Sequence, residues 1–423
     1  MRIAMVSGLV HPRGVGAPGG QNGCVAALSA RLAARGHDVT VYTRRDDPVR
    51  PERMCLPEGY RLVSVSAGPA RPVDVTELSR WLGKFGRFLA DEWARDKPDV
   101  VHAHFWLTGL AAALAARTVP VPLVHTFHDF GAARRRYPRE PDPGPAHRVP
   151  VERLLARTAD RVHATSSAGL GELLRMGVSR ERASIVPRGV DTGLFTPDGP
   201  PADRPATGHR VVAVGRLLPR KGFELLISAL RGLADTELLI VGGPDKAELD
   251  ADPEAIRLLA HADRAEVADR VRLFGRVTPA DLPALLRSAD VVACAPWCEP
   301  FGMAAVEAMA CGVPVVATSV GGLTDSVVDG VTGVLVPPGS PTALSHAIRR
   351  LLADGNRRAA LAAAGRDRAC SRYCWAQVTE ETTREYERAT GVARTHAVEP
   401  EEKQVSTGWP GETQGGPGSR ADR

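Results

Sequence analysis

The chain has 423 residues, 43% of them hydrophobic and 24% charged, with a formal net charge of +5. A chain this long outgrows one ordinary core, so two soluble globular domains are expected. The longest apolar run, LTGLAAALAA (107–116), falls short of the roughly 18 residues a bilayer span requires, and the seven cysteines lack zinc-ligand spacing, so the expected setting is cytoplasmic and reducing.

RIAMVS (2–7) has one arginine and a short apolar run but no small-x-small cleavage site, and reads as a strand. GVGAPG (14–19) matches the dinucleotide G-x-G-x-x-G literally, and Arg44 and Arg45 follow the second strand, where a 2′-phosphate would be held. The context is wrong for a dehydrogenase: Gly14 comes eight residues after Val6, and Pro18 occupies the phosphate-binding bend. The overlapping PGGQNG (18–23) is the better candidate. Its glycines let backbone N–H groups approach an anionic ligand ahead of a helix over 21–36.

DVTVYT, DVVHAH, PLVHTF and RVHATS continue a first set of strands. After the Pro/Gly/Asp stretch 191–210, RVVAVG, ELLIVGG, RVRLFG, DVVACA, PVVAT and GVLV form a second. Continuous apolar strands joined by helices, such as one over 221–234, imply parallel sheets covered on both faces. The expected fold class is α/β, with doubly wound Rossmann-like domains over 1–195 and 205–372. The tail, 392–423, has no apolar period and is expected to be disordered. Residues 1–200 hold 28 Lys+Arg against 20 Asp+Glu, and residues 201–423 hold 26 against 29. The basic half suits either an anionic partner or membrane face, or simply a solvated arginine-rich surface.

In GRLLPRKG (215–222), Arg216 and Lys221 stand five apart around a proline turn after a strand. They offer a bidentate fork and a point charge to a diphosphate. EPFGMAAVEAM (299–309) sets Glu299 and Glu307 eight apart among small apolar residues. Gly302 opens a helix there, whose first amides, on Gly302, Met303 and Ala304, make an anion site; Gly312 and Pro314 end it. Glu299 is placed to accept from sugar hydroxyls and Glu307 from a ribose diol, with the diphosphate between them. No carboxylate pair stands out as the acid and base of a hydrolase.

GRLLPRKG, EPFGMAAVEAMACGVPVVAT and GGLTDSVVDGVTGVLVPPG resemble the retaining glycosyltransferases of family 4, which have the GT-B fold. That family includes sucrose-phosphate synthases and the inositol-phosphate N-acetylglucosaminyltransferases of mycothiol synthesis. The resemblance runs from residue 1 to about 390, and YCWAQV is similar to the family's terminal helix, here 376–390, which crosses back onto the first domain. It implies that Arg216 and Lys221 hold the diphosphate, Glu307 the ribose and Glu299 the donor sugar. Phe301, Gly302, Met303 and Ala304 would belong to the donor site, and backbone near Arg276 and Val277 would meet the base. Gly19, Gly20 and Asn22 would line the cleft beside the phosphates, and His128 in PLVHTFHD would lie by the donor sugar and leaving group. His102 and His104 resemble residues near the acceptor. The implied reaction moves a hexose or N-acetylhexosamine from a nucleotide sugar, with UDP the nucleotide, by front-face attack. Neither a cofactor nor an essential metal is expected, and no nucleic-acid partner.

The inositol-phosphate enzymes of that family grip acceptor phosphate with a lysine near Asp74, a tyrosine at Phe105, a threonine at Asp129 and an arginine near Arg148. This chain keeps the arginine. An aspartate at 129 repels phosphate and suits an amine, which points to an unphosphorylated polyol, cyclitol, aminocyclitol or specialised metabolite. GAARRRYPRE (131–140) argues instead for a phosphorylated or lipid-linked acceptor at a membrane face. A nucleotide-sugar epimerase and a non-catalytic nucleotide-sugar-binding protein are the readings from other classes.

Overall fold

The computed structural model describes residues 1–8, 21–136, 145–204 and 208–391, with the side chains of Gln21 and Asn22 outside that description. The expectations for Gly19, Gly20, the Asn22 side chain, the motif at 14–19 and the tail 392–423 therefore fall outside the described residues.

The described strands are β1 (Arg2–Ser7), β2 (Asp38–Arg44), β3 (Arg53–Cys55), β4 (Arg61–Val65), β5 (Val100–His104), β6 (Leu123–Phe127), β7 (Arg161–Ala164), β8 (Ala183–Ile185), β9 (His209–Val214), β10 (Thr236–Val241), β11 (Val271–Gly275), β12 (Val291–Cys294), β13 (Val315–Thr318) and β14 (Gly333–Val336). The first eight form one sheet in the order β3-β4-β2-β1-β5-β6-β7-β8, and the last six a second in the order β11-β10-β9-β12-β13-β14. All pairings are parallel except β3 with β4.

Each sheet is buried on both faces, which is why its strands read as continuous apolar runs. One face of the first sheet packs Ala4, Val101 and Phe127 against the helices Leu82–Arg95, Trp106–Thr118 and Arg148–Thr158. The other packs Ile3, Met5 and Val124 against the helix Gln21–Ala34 and against Trp375, Val378 and Tyr386 of the terminal helix Trp375–Thr390. Tyr386 is wholly buried, and an aromatic ring of that size contributes on the order of 2–3 kcal/mol to that docking.

Chain order reverses between β1 and β5, where Ser7 lies opposite His104, and between β9 and β12, where Val212 lies opposite Val292. Strands on either side of such a point send their connections to opposite faces, leaving a crevice beyond the carboxyl ends.

Three strands were not among those expected. β3 and β8 have three residues each, too few to show a period, and β4 lies in a stretch punctuated by Gly and Pro. The helix expected over 221–234 is three pieces: a 3-10 turn Pro219–Lys221, the helix Phe223–Ala229 and a second 3-10 turn Leu230–Gly232. Gly222 breaks it, with φ of 67° and its Cα so close to the Ala295 carbonyl that an added Cβ would lie 2.0 Å from that oxygen. All seven cysteines are free thiols; Cys311 is buried and Cys55 exposed.

Candidate active site

A cleft of about 1400 Å³ runs between the two sheets and is lined from both. From the second sheet come Gly215, Arg216, Arg220 and Lys221 after β9, and Glu299, Phe301, Gly302, Met303, Ala304 and Glu307 after β12. From the first come Phe105, His128, Asp129 and Arg148. Both reversal points thus open into one space. His104 lies behind His128, its Nδ1 3.1 Å from His128 Nε2. Arg276 and Val277 do not border the cleft: the Arg276 guanidinium pairs with Asp245 at 3.4 Å and Val277 packs on the core. Asp74 is spent locally as the cap of the helix Val75–Ser79, accepting from the Glu77 amide. Arg44 is buried and donates to the Pro69 and Arg71 carbonyls, so it is not held out for a nucleotide phosphate.

Gly302 takes φ of 97° at the start of the helix Met303–Ala310, and its missing side chain leaves room for Leu323, 2.6 Å from where a Cβ would stand. The amide of Gly322 donates to the Glu299 carbonyl at 2.8 Å, and the Ser326 hydroxyl to the Phe301 carbonyl at 2.9 Å. The turn that presents Glu299 is therefore braced from the loop after β13. It is also fastened to the first domain: Ser166 Oγ donates to the Pro300 carbonyl at 2.9 Å, and the Ser167 amide to Asp325 at 2.5 Å.

Lys221 Nζ donates to Glu299 Oε2 at 2.5 Å. Burial alone would raise the Glu299 pKa, but Lys221, then Arg220 and Arg188, hold it below the usual carboxylate range. Glu307 differs: burial pushes its carboxyl up to about 8, and Arg188 and Lys221 offset this only in part. The two carboxyls are thus shifted in opposite directions, Glu299 down beside a cation and Glu307 up in an apolar wall.

On the first-sheet side of the cleft, Arg148 is tied down. Arg148, itself buried, donates to Asp129 at 2.5 Å and to Glu152 at 2.6 Å. Burial works against its charge, and the two carboxylates outweigh that and raise its pKa. Arg134 pairs with Asp129 at 3.4 Å. Phe105 borders this region with φ of 73° and ψ of 139°, a conformation costly for a residue with a Cβ, and strain of this kind gathers at functional sites.

Arg188, Arg220, Ser166 and Ser167 also line the cleft and were not singled out from the sequence. Arg220 stood beside Lys221 in the motif itself. Arg188 had no local signal, and only the chain's return from β8 brings it near His128, Glu299 and Glu307, all of which feel its charge. Among the described residues, no group of three or more His, Cys, Asp and Glu has the geometry to hold a metal.

Residues 18–194 match the family model Glycosyltransferase Family 4, and residues 201–368 match Glycosyl transferases group 1. A D-inositol 3-phosphate glycosyltransferase of Xylanimonas cellulosilytica is 36% identical over 410 residues, covering 92% of this chain and 97% of the relative. The chain is a family 4 glycosyltransferase. A relative of the same description from Acidothermus cellulolyticus is 37% identical over 377 residues and covers 84% of each chain. Sucrose-phosphate synthase of Thermosynechococcus elongatus superposes on this glycosyltransferase with a TM-score of 0.83 at 30% identity, over 93% of this chain and all of that one. With such neighbours, the two Rossmann-like domains of this glycosyltransferase are those of the GT-B fold. No helix among its described residues is long and apolar enough to cross a membrane.

Proposed function

We propose that this glycosyltransferase moves a hexose or N-acetylhexosamine from UDP-glucose or UDP-N-acetylglucosamine to a hydroxyl of a small, unphosphorylated polyol, cyclitol or aminocyclitol, with retention at the anomeric carbon. The observation that carries the donor half is the gathering of Arg188, Arg216, Arg220 and Lys221 with Glu299, Glu307 and the amide terminus at Gly302 in one cleft. Breaking the bond between sugar and diphosphate leaves an oxocarbenium-like centre and a departing anion. The cations and the helix terminus take up that anion's charge in a water-poor site. Lys221 has three donor hydrogens, so it serves the phosphate while keeping Glu299, which accepts from the donor sugar's hydroxyls. Glu307 takes the ribose diol, and His128 stands by the sugar and leaving group. UDP is assigned on the resemblance of the donor motifs. Holding both substrates in place across the cleft supplies the rest of the acceleration, and no metal is assigned to the reaction.

The acceptor half rests on Arg148. Two carboxylates, Asp129 and Glu152, already hold its guanidinium, so a phosphate arriving there meets Asp129 first. The description of the relatives supports a cyclitol, and this pairing argues that it arrives without its phosphate.

Thermal shift and slow donor hydrolysis test the donor half. One nucleotide sugar should stabilise the protein and be hydrolysed at a rate that EDTA does not change. Glu299→Ala should weaken that stabilisation by about 10- to 100-fold in Kd, the worth of one charged hydrogen bond, and Glu307→Ala by about 3- to 10-fold, the worth of a neutral one. Variants that behave like the parent would sink the donor assignment. For the acceptor, transfer to inositol should exceed transfer to inositol 3-phosphate, and Asp129→Thr should narrow the gap. Faster use of the phosphorylated acceptor by the parent overturns this half alone. Interconversion of nucleotide sugars without transfer would mark an epimerase instead.

A further inference from the structure

The sheet face that carries the terminal helix holds a line of buried imidazoles beyond the one proposed to meet the donor. His102 and His104 lie on β5, Thr126 and then His128 at the end of β6, and His163 on β7, and all are buried. Inward from the terminal helix, Glu385 lies 3.5 Å from His163 Nε2, and His163 Nδ1 lies 3.5 Å from the Thr126 hydroxyl. That hydroxyl is 2.7 Å from His102 Nε2, and the Tyr386 hydroxyl is 2.7 Å from His102 Nδ1. The rings of His102 and His104 lie 4.0 Å apart by centroid, and those of His104 and His128 stack at 5.3 Å. Within this line, His128 is the member that lines the cleft.

Both nitrogens of His102 are thus tied to the fold. His104 is held between two rings, and its Nε2 has no hydrogen-bond partner among the described residues, so its polar contact is the 3.1 Å one to His128. Burial keeps both rings neutral, with His104 pushed down to about 3 and His128 well below its ordinary value. Two neutral imidazoles at that distance share one hydrogen, so the tautomer of each dictates that of the other.

We propose that His104 is a positioning residue: the hydrogen it shares with His128 Nε2 holds the His128 ring and locks the two rings into matching tautomers, both Nδ1–H or both Nε2–H, while His102, held by Tyr386 of the terminal helix, packs against His104 from the other side. The kinetic consequence rests on the placement of His128 beside the donor sugar; the tautomer does not.

Histidine-selective nitrogen-15 labelling of the full chain, read by long-range proton–nitrogen correlation at neutral pH, reports each ring's tautomer directly. The His128 signals are those missing from His128→Gln. The parent should show the same Nδ1–H fraction on His128 and on His104, whose signals are those missing from His104→Gln. His104→Phe should shift the His128 fraction, while the amide of His104→Gln keeps a hydrogen bond to His128 Nε2 in either form. In donor hydrolysis, His104→Phe should lower kcat about 10- to 100-fold at nearly unchanged donor KM, as a small misplacement of a reacting group does. His104→Gln should recover most of it, and Tyr386→Phe should show a smaller loss of the same kind. Unequal fractions on the two rings of the parent, or an unchanged His128 fraction in His104→Phe, overturns the proposal whatever the hydrolysis assay gives. If the parent hydrolyses no nucleotide sugar, the function proposed above fails and the spectra still decide this one. Should His104→Phe not fold, His104→Asn, whose shorter amide does not reach His128, takes its place under the same criterion.

Discussion

Glu307 lies almost wholly inside the protein, with its carboxyl pushed up to about 8 by burial. An acid whose folded pKa exceeds its unfolded one adds stability that is complete below about 4.5 and lost as pH rises through 8. Measured against Glu307→Gln, in which the histidine contribution is the same, the free protein should therefore lose melting temperature between pH 5 and 9. The difference is worth a few kcal/mol at about 1.4 per pKa unit. Equal pH profiles for the two proteins would show that Glu307 is ionised in the free cleft. The element and spacing of Glu307 were legible in the sequence, because a carboxylate on a helix of small apolar residues is anomalous. Its protonation state was not, since that depends on how far Arg188 and Lys221 come to stand from it. The same holds for Arg148. Its identity was legible, and so was the i,i+4 spacing of Glu152 on the same helix, but Asp129, which takes its other edge, comes from just beyond the end of β6.

Among the elements, the turn Pro219–Gly222 does the most with the fewest residues. Its left-handed glycine lets the chain pass against the Ala295 carbonyl at the end of β12, and so delivers Lys221 to Glu299. Gly222→Ala would place a methyl 2.0 Å from that oxygen at a positive φ. It should cost about 2–4 kcal/mol, the sum of left-handed strain and backbone displacement, and should abolish donor binding in the fraction that folds. Urea unfolding and thermal shift with donor check both. A variant as stable as the parent would mean that the turn yields at no cost. The sequence reading placed a proline turn here and began the helix at Lys221, where the structure begins it at Phe223 after Gly222. Local propensity reports the helix well and the break poorly, as the break exists to clear a carbonyl some 70 residues away in the chain.

For the whole molecule, the buried histidines set the acid limit. His102, His104, His125 and His128 all have folded pKa values below the ordinary one, with burial the leading cause. A base depressed in this way adds stability that is present above about 6.5 and lost as pH falls toward its folded value. His37 is lowered as well and adds to this, while Glu307 and Glu152, both raised by burial, oppose it in part. The protein should lose stability steadily as pH falls below 6. His125 makes no hydrogen bond at either ring nitrogen among the described residues and lies on the sheet face away from the cleft-side line. His125→Leu should lower that slope by one proton, read from urea midpoints between pH 7 and 5. An unchanged slope would place a polar partner or a charge on that ring.

The sequence by itself determined two doubly wound parallel sheets, their strand runs, and a donor motif whose residues are neighbours along the chain. Those properties follow from short-range patterns: continuous apolar strands, glycines at helix entries, and charges clustered after strand ends. Tertiary structure decided which cation meets which carboxylate, which arginine joins the cleft from the interdomain return, and that Arg148 is already occupied. It also decided that five histidines, scattered over the chain as separate residues, pack into one sheet. Pairing between distant residues depends on sheet order and domain docking, which no period of 2 or 3.6 residues encodes.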